Sequence, residues 1–155
     1  IISEELVSPL IDVIATRYRT KKSFLDNFTN LHMFVVSLRC EHTCHYCQVS
    51  RVTSDKTKFD MSNEHLEKGI NMMMKSPNPY ITMEFQGGEP LLAFDSVKFA
   101  VQRAYELAIE NNKQINFVIC TNLALINEEI LYFCKEYNVL ISTSLPVVGS
   151  VMKEK

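Results

Sequence analysis

The sequence predicts an α/β fold of about four βα units with parallel strands. Three observations support this expectation: short apolar runs rich in β-branched and aromatic residues, stretches of helical periodicity, and the regular alternation of the two along the chain. Two-residue turns cannot join parallel neighbours, so strands separated by helices imply a parallel sheet with right-handed crossovers.

The first strand is expected at residues 33–38, MFVVSL, a buried apolar run. The segment FDMSNEHLEKGINMMMKS then offers Ser62 as an N-cap and spaces Leu66, Ile70 and Met73 along one face until Pro77 stops it. A second strand, YITMEFQ at residues 80–86, runs into Gly87 and Gly88. The helix after it is expected to start with Asp95 as cap and carries Val97, Val101, Ala104 and Ala108 at helical spacing. INFVIC at 115–120 is the third strand, a helix capped by Asn127 runs to about Tyr137, and VLISTSL at 139–145 is the fourth. Residues 1–30, with Pro9 and the basic cluster RYRTKK, form a lead-in that either packs outside the sheet or extends into solvent. Ligands of parallel α/β folds gather beyond the carboxyl ends of the strands. A cysteine loop, GGEP, TN and TSL fall there after strands one to four in turn, so they converge on one rim.

At 155 residues and 46% hydrophobic composition the chain can pack one domain, and a charged fraction of 22% is ordinary. A net charge of −2 and a pI near 6.1 provide no basic surface for nucleic acid or anionic lipid, so neither is an expected partner. No window reaches the ~18 apolar residues of a membrane span, and no charged start followed by an apolar run opens the sequence. The expectation is a cytoplasmic protein. Five cysteines, three of them crowded into one loop, fit metal-ligating thiolates in a reducing compartment better than a disulfide framework.

That loop, LRCEHTCHYCQVSR at residues 38–51, spaces Cys40, Cys44 and Cys47 as CxxxCxxC. Three thiolates can grip an iron–sulfur cube and leave one iron open to chemistry. Zinc held by the three cysteines and His42 or His45 is the other reading of the loop alone. Cys120, ending a strand, and Cys134, in mid-helix, read as small buried hydrophobes, and His32 and His65 as structural or exposed residues.

CxxxCxxC with Tyr46 directly before the last cysteine resembles the signature of the radical S-adenosylmethionine (radical SAM) enzymes. FQGGEP, Phe85 to Pro90, resembles the element that ends the second strand in that family. The resemblance implies a partial (β/α) TIM-like barrel, with residues 31–155 as the amino-terminal part of the radical SAM core domain and residues 1–30 as its lead-in. It implies a [4Fe-4S] cluster on Cys40, Cys44 and Cys47 whose open iron is chelated by the methionine part of S-adenosyl-L-methionine. One-electron cleavage of that cofactor yields a 5′-deoxyadenosyl radical, which abstracts hydrogen from a substrate.

By the same resemblance, Gly87 and Gly88 let the backbone approach the methionine moiety, and the Glu89 carboxylate, before Pro90, receives its ammonium group. Gln86 faces the cavity, and Tyr46 lends backbone contacts to adenine. Asn122 matches a TN element, with Leu123 where the family has glycine. Ser144 matches a serine that contacts the cofactor near its methionine or ribose part, although Pro146 and Val147 replace the Asp-Gly that follows it in relatives. Arg39 and Arg51 flank the loop, where they would soften the charge of the thiolates or lie exposed.

FVVSLRCEHTCHYCQVSR, FDMS and MEFQGGEPLL are most similar to peptide-modifying maturases with a cysteine-rich (SPASM-type) C-terminal domain, including the maturase of His-Xaa-Ser repeat systems. That branch implies a peptide or protein substrate and an electron donor such as a flavodoxin or ferredoxin, and this chain resembles an amino-terminal piece of such an enzyme. The competing class is a non-catalytic metal-binding protein with a structural Cys3His zinc or iron–sulfur site.

Overall fold

The computed structural model describes residues 8–23, 25, 28–42, 44–45, 47 and 55–143. Helix α1 (Ser8–Lys22) precedes a parallel sheet in the order β1 (Leu31–Ser37), β2 (Tyr80–Gly87), β3 (Gln114–Cys120), β4 (Val139–Ser142). One-turn helix α2 (Lys56–Phe59) and helix α3 (Asn63–Met74) connect β1 to β2. A 3-10 turn (Pro90–Ala93) and α4 (Phe94–Glu110) connect β2 to β3, and α5 (Glu128–Glu136) connects β3 to β4. The expected parallel α/β alternation is therefore the architecture of the described chain.

Strand parity divides the sheet into two faces. On one, Phe34, Val36, Ile81, Met83, Phe85, Phe117 and Ile119 pack against Leu66, Ile70 and Met73 of α3 and Val97, Val101, Ala104 and Ala108 of α4, all buried. Burying each large side chain of this set stabilises by about 1.5–3 kcal/mol, so this interface holds the helices on the sheet. Among the described residues, the other face carries no helix. Its layers follow the strand register: Met33, Glu84, Val118 and Leu140 form one row, with Val35, Gln86, Cys120 and Ser142 above it toward the carboxyl rim.

The caps follow the sequence at two helices. Ser62 Oγ accepts from His65 N–H at 3.3 Å, and Asn127 Oδ1 accepts from Ile130 N–H at 2.9 Å. Helix α4 differs, because the 3-10 turn delivers the chain straight into it at Phe94. Asp95 lies in its first turn instead of capping it, and pairs with Lys98 at 3.1 Å. Strand β1 begins earlier than the apolar run, at Leu31, because pairing with β2 extends to Thr82. The short α2 has no apolar period by which sequence could reveal it.

Cys134 is buried in the core, as expected. The described part of the lead-in is helical, and Leu10, Ile11, Val13, Ile14 and Tyr18 are exposed. Among the described residues, no helix is long and apolar enough to cross a membrane.

Candidate cofactor site

The end of β1 is fixed by an added strand-like contact. Ser37 bridges antiparallel to Asp60, Leu38 N–H donates to Phe59 O at 3.1 Å, and Met61 N–H donates to Val36 O at 2.8 Å. Arg39, the residue before the first motif cysteine, is buried here at 5% exposure. Its Nε and Nη2 reach Asp60 Oδ1 and Oδ2 at 2.7 and 2.6 Å, and Nη2 also donates to Leu92 O at 2.8 Å. The expectation of an exposed or charge-softening Arg39 is corrected: its charge is committed to Asp60, because a forked guanidinium matches a carboxylate bidentately. Burial alone would raise the Asp60 carboxyl, but the hydrogen bonds from Arg39 and Ser37 outweigh it and hold the group below its ordinary value. Arg51 lies outside the described residues.

The GGEP loop meets this entrance backbone to backbone. Gly88 N–H donates to Ser37 O at 2.9 Å and Glu89 N–H to Arg39 O at 2.7 Å. A Cβ at Gly87, whose φ is +144°, would lie 2.0 Å from Ser37 O, and one at Gly88 would lie 2.2 Å from Arg39 O. The paired glycines are thus required by the approach of the cysteine-loop backbone.

Glu89 is 1% exposed and joins two loops. Its Oε1 accepts from Leu91 N–H at 3.0 Å and from Thr121 Oγ1–H at 2.7 Å, and its Oε2 accepts from Asn122 N–H at 2.9 Å. The carboxylate to which the family resemblance gives an incoming ammonium group is already met by three donors. Asn122 then ties the third loop to the cysteine loop, donating from Nδ2 to Glu41 Oε1 at 2.8 Å. Leu123, at the family's glycine position, holds φ at +67°, the left-handed region that favours glycine. Thr121 Oγ1 accepts from its N–H at 3.0 Å, and Ile126 N–H donates to its carbonyl at 3.2 Å.

A cavity of about 290 Å³ opens at the carboxyl ends of β2, β3 and β4, lined by residues 86–88, 120–122 and 142–143. Gln86, Gly87, Gly88 and Asn122 line it, whereas the buried Glu89 and Pro90 do not. Cys120 corrects the reading as a buried hydrophobe: it is half-buried on the cavity wall, and Sγ donates to Glu84 Oε1 at 3.3 Å. Burial, the Glu84 hydrogen bond and its negative charge push the thiol up to about 11. Glu84 also accepts from Gln86 Nε2. Sequence reasoning passed over Glu84 and Thr121; the two-residue spacing of Glu84 and Gln86, which puts both on one sheet face, was the available signal for the first.

Cys40 and Cys44 are half-buried and Cys47 is exposed, with Cys47 N–H donating to Cys44 O at 3.2 Å. Burial raises the Cys40 thiol, the His42 backbone N–H opposes this, and Glu41, Glu89 and Cys44 add to the rise. His42 is exposed, Ser62 Oγ lies 2.9 Å from His65 Nδ1, and His32 Nε2 is buried without a partner among the described residues. Tyr46 and Ser144 lie outside the described residues. Among the described residues no three His, Cys, Asp or Glu side chains converge as a metal-holding group. The fit lies in the donor set: three thiols on one loop, a soft-ligand pattern suited to iron–sulfur clusters, and ligand convergence is coupled to metal binding.

Comparisons with known proteins agree on the family. A family model described as the radical SAM superfamily matches residues 34–147. The chain is 29% identical to the radical SAM cyclopropyl synthase TigE of Paramaledivibacter caminithermalis, over 71% of this chain and 25% of that protein. It is 30% identical to a serine-type anaerobic sulfatase-maturating enzyme of Bacteroides thetaiotaomicron, over 72% of this chain and 27% of the relative. Among solved structures, native anSMEcpe with bound AdoMet aligns at a TM-score of 0.59 and 28% identity, covering 74% of this chain and 31% of that one. The chain thus spans about a quarter to a third of these relatives, and the matched part holds the cysteine loop, the GGEP loop and the parallel strands that carry them. Members of this family bind a [4Fe-4S] cluster and S-adenosylmethionine, and the chain belongs to the radical SAM superfamily.

Proposed function

We propose that this chain is the cofactor-binding part of a radical SAM enzyme that acts on a peptide or protein, with Cys40, Cys44 and Cys47 as ligands of a [4Fe-4S] cluster. When bound, the cluster and S-adenosylmethionine supply one-electron cleavage to a 5′-deoxyadenosyl radical for hydrogen abstraction. The supporting observation is the meeting of three loops at one rim: Gly88 and Glu89 bonded to the carbonyls of Ser37 and Arg39, and Asn122 bonded to both Glu89 and Glu41.

In this reading Gly87, Gly88 and Gln86 present backbone and an amide to the methionine part from the cavity wall, which Asn122 also lines. Glu89 and Pro90 act from behind, fixing the loop. Tyr46 and Ser144 complete the cofactor contacts by resemblance to the family. An electron donor such as a flavodoxin or ferredoxin is the partner that the chemistry requires. The similarity to maturases supports a peptide substrate.

The test is anaerobic reconstitution with iron and sulfide, followed by electron paramagnetic resonance of the reduced protein with and without S-adenosylmethionine. The expected result is a cluster signal that the cofactor perturbs, with 5′-deoxyadenosine formed on reduction. A colourless protein retaining a single zinc ion would defeat the proposal.

A further inference from the structure

We propose that Glu84 anchors a lysine or arginine side chain of the peptide substrate, its carboxylate holding the cationic head while apolar residues of the same sheet layer hold the stem. This rests on the peptide-acting reading above and adds the chemistry of the peptide.

Glu84 is the one charged side chain on the helix-free face of the sheet among the described residues: the other positions of that face are Leu31, Met33, Val35, Tyr80, Thr82, Gln86, Gln114, Asn116, Val118, Cys120, Leu140 and Ser142. Its contacts, Gln86 Nε2 and Cys120 Sγ, come from neutral groups, and no cation pairs with it among the described residues. A half-buried carboxylate with lone pairs to spare and no counter-charge is complementary to an ammonium or guanidinium.

The neighbours in its row fit the rest of such a side chain. Met33 pairs with Glu84 on one side, Val118 on the other, and Leu140 lies beyond; Met33 and Leu140 are 60% and 59% exposed. Long basic side chains lay their methylene stems along apolar surface while the charged end finds a polar partner. Glu84 lies two residues below Gln86, about 6.6 Å along the strand, a span comparable to an extended lysine side chain. A substrate anchored there would cross the rim with its backbone beside Gln86 and the paired glycines.

The test uses the reconstituted chain and labelled Gly/Ser peptides that differ only in a central Lys, Met or Glu, with dissociation constants read by fluorescence anisotropy. The Lys peptide should bind about tenfold more tightly than the Met peptide, the Glu peptide should be the weakest, and Glu84→Gln should erase the order. Glu84→Lys should reverse it in favour of the Glu peptide, a gain that misfolding cannot mimic. Equal affinities in the native chain, no binding of any peptide, or an unchanged order in Glu84→Gln would overturn the proposal. The readout needs no turnover: a cluster indifferent to S-adenosylmethionine would sink the radical reading while leaving the peptide order to stand or fall by itself.

Discussion

Replacing Glu89 by glutamine separates two roles for the same residue. The carboxylate accepts three hydrogen bonds, from Leu91 N–H at 3.0 Å, Thr121 Oγ1–H at 2.7 Å and Asn122 N–H at 2.9 Å, at 1% exposure. In Glu89→Gln the amide oxygen can still serve Leu91 and Thr121, but the amide nitrogen then faces Asn122 N–H, donor against donor. One hydrogen bond to a charged acceptor is lost, about 2 kcal/mol, and the two others weaken to neutral bonds, about 0.5–1 kcal/mol each. The sum is about 3–4 kcal/mol, which at a slope of about 1.5 kcal/mol/M lowers the urea midpoint by roughly 2 M. Urea unfolding of the isolated chain measures it. If the midpoint held while affinity for S-adenosylmethionine fell tenfold, the loop-fixing role of Glu89 would be refuted and the carboxylate would be a direct cofactor contact.

Further outcomes are expected at three other residues. Asp60→Ala leaves the buried Arg39 charge unpaired and should cost about 3–5 kcal/mol of stability by urea unfolding; a cost below about 1 kcal/mol would show that the Arg39–Asp60 pair does not hold the end of β1. Because the folded Asp60 carboxyl lies below its unfolded value of 3.8, its contribution is present above that pH and is lost as acid takes the pH through the folded value. Cys120 has the opposite sign: the unfolded thiol loses its proton near 9 and the folded one at about 11, so stability should fall as pH rises through that window. Alkylation of native Cys120 by iodoacetamide should accelerate only toward pH 11 and at lower pH in Glu84→Gln; acceleration near pH 9 in both would contradict the Glu84 contact. Cys44→Ala leaves two thiols on the loop and should abolish cluster assembly by iron and sulfide analysis, whereas full cluster content would exclude Cys44 as a ligand.

The elements most legible in the sequence are those whose signals are local. Ser62 and Asn127 cap α3 and α5 where a short polar side chain precedes an apolar period, and Leu66, Ile70, Val97 and Val101 face the sheet as their spacing demands. Asp95 is not the cap its spacing predicts, because the 3-10 turn that replaces that cap depends on Glu89 accepting from Leu91, a contact within an irregular loop. Arg39 and Asp60 stand 21 positions apart, and nothing in either neighbourhood marks them as partners.

By itself, the sequence determined the parallel α/β architecture, the CxxxCxxC spacing of the three thiols proposed as cluster ligands and the order in which the loops reach the rim. These depend on residue type and spacing along one chain, which periodicity and steric rules translate directly. Only the tertiary structure decided that Glu89 turns into the loops, that Gly87 and Gly88 serve the approach of Ser37 and Arg39, and that Cys120 meets Glu84 on an open sheet face. Such choices follow from strand register and burial, which bring together groups distant in sequence and set each donor against the acceptors within its reach.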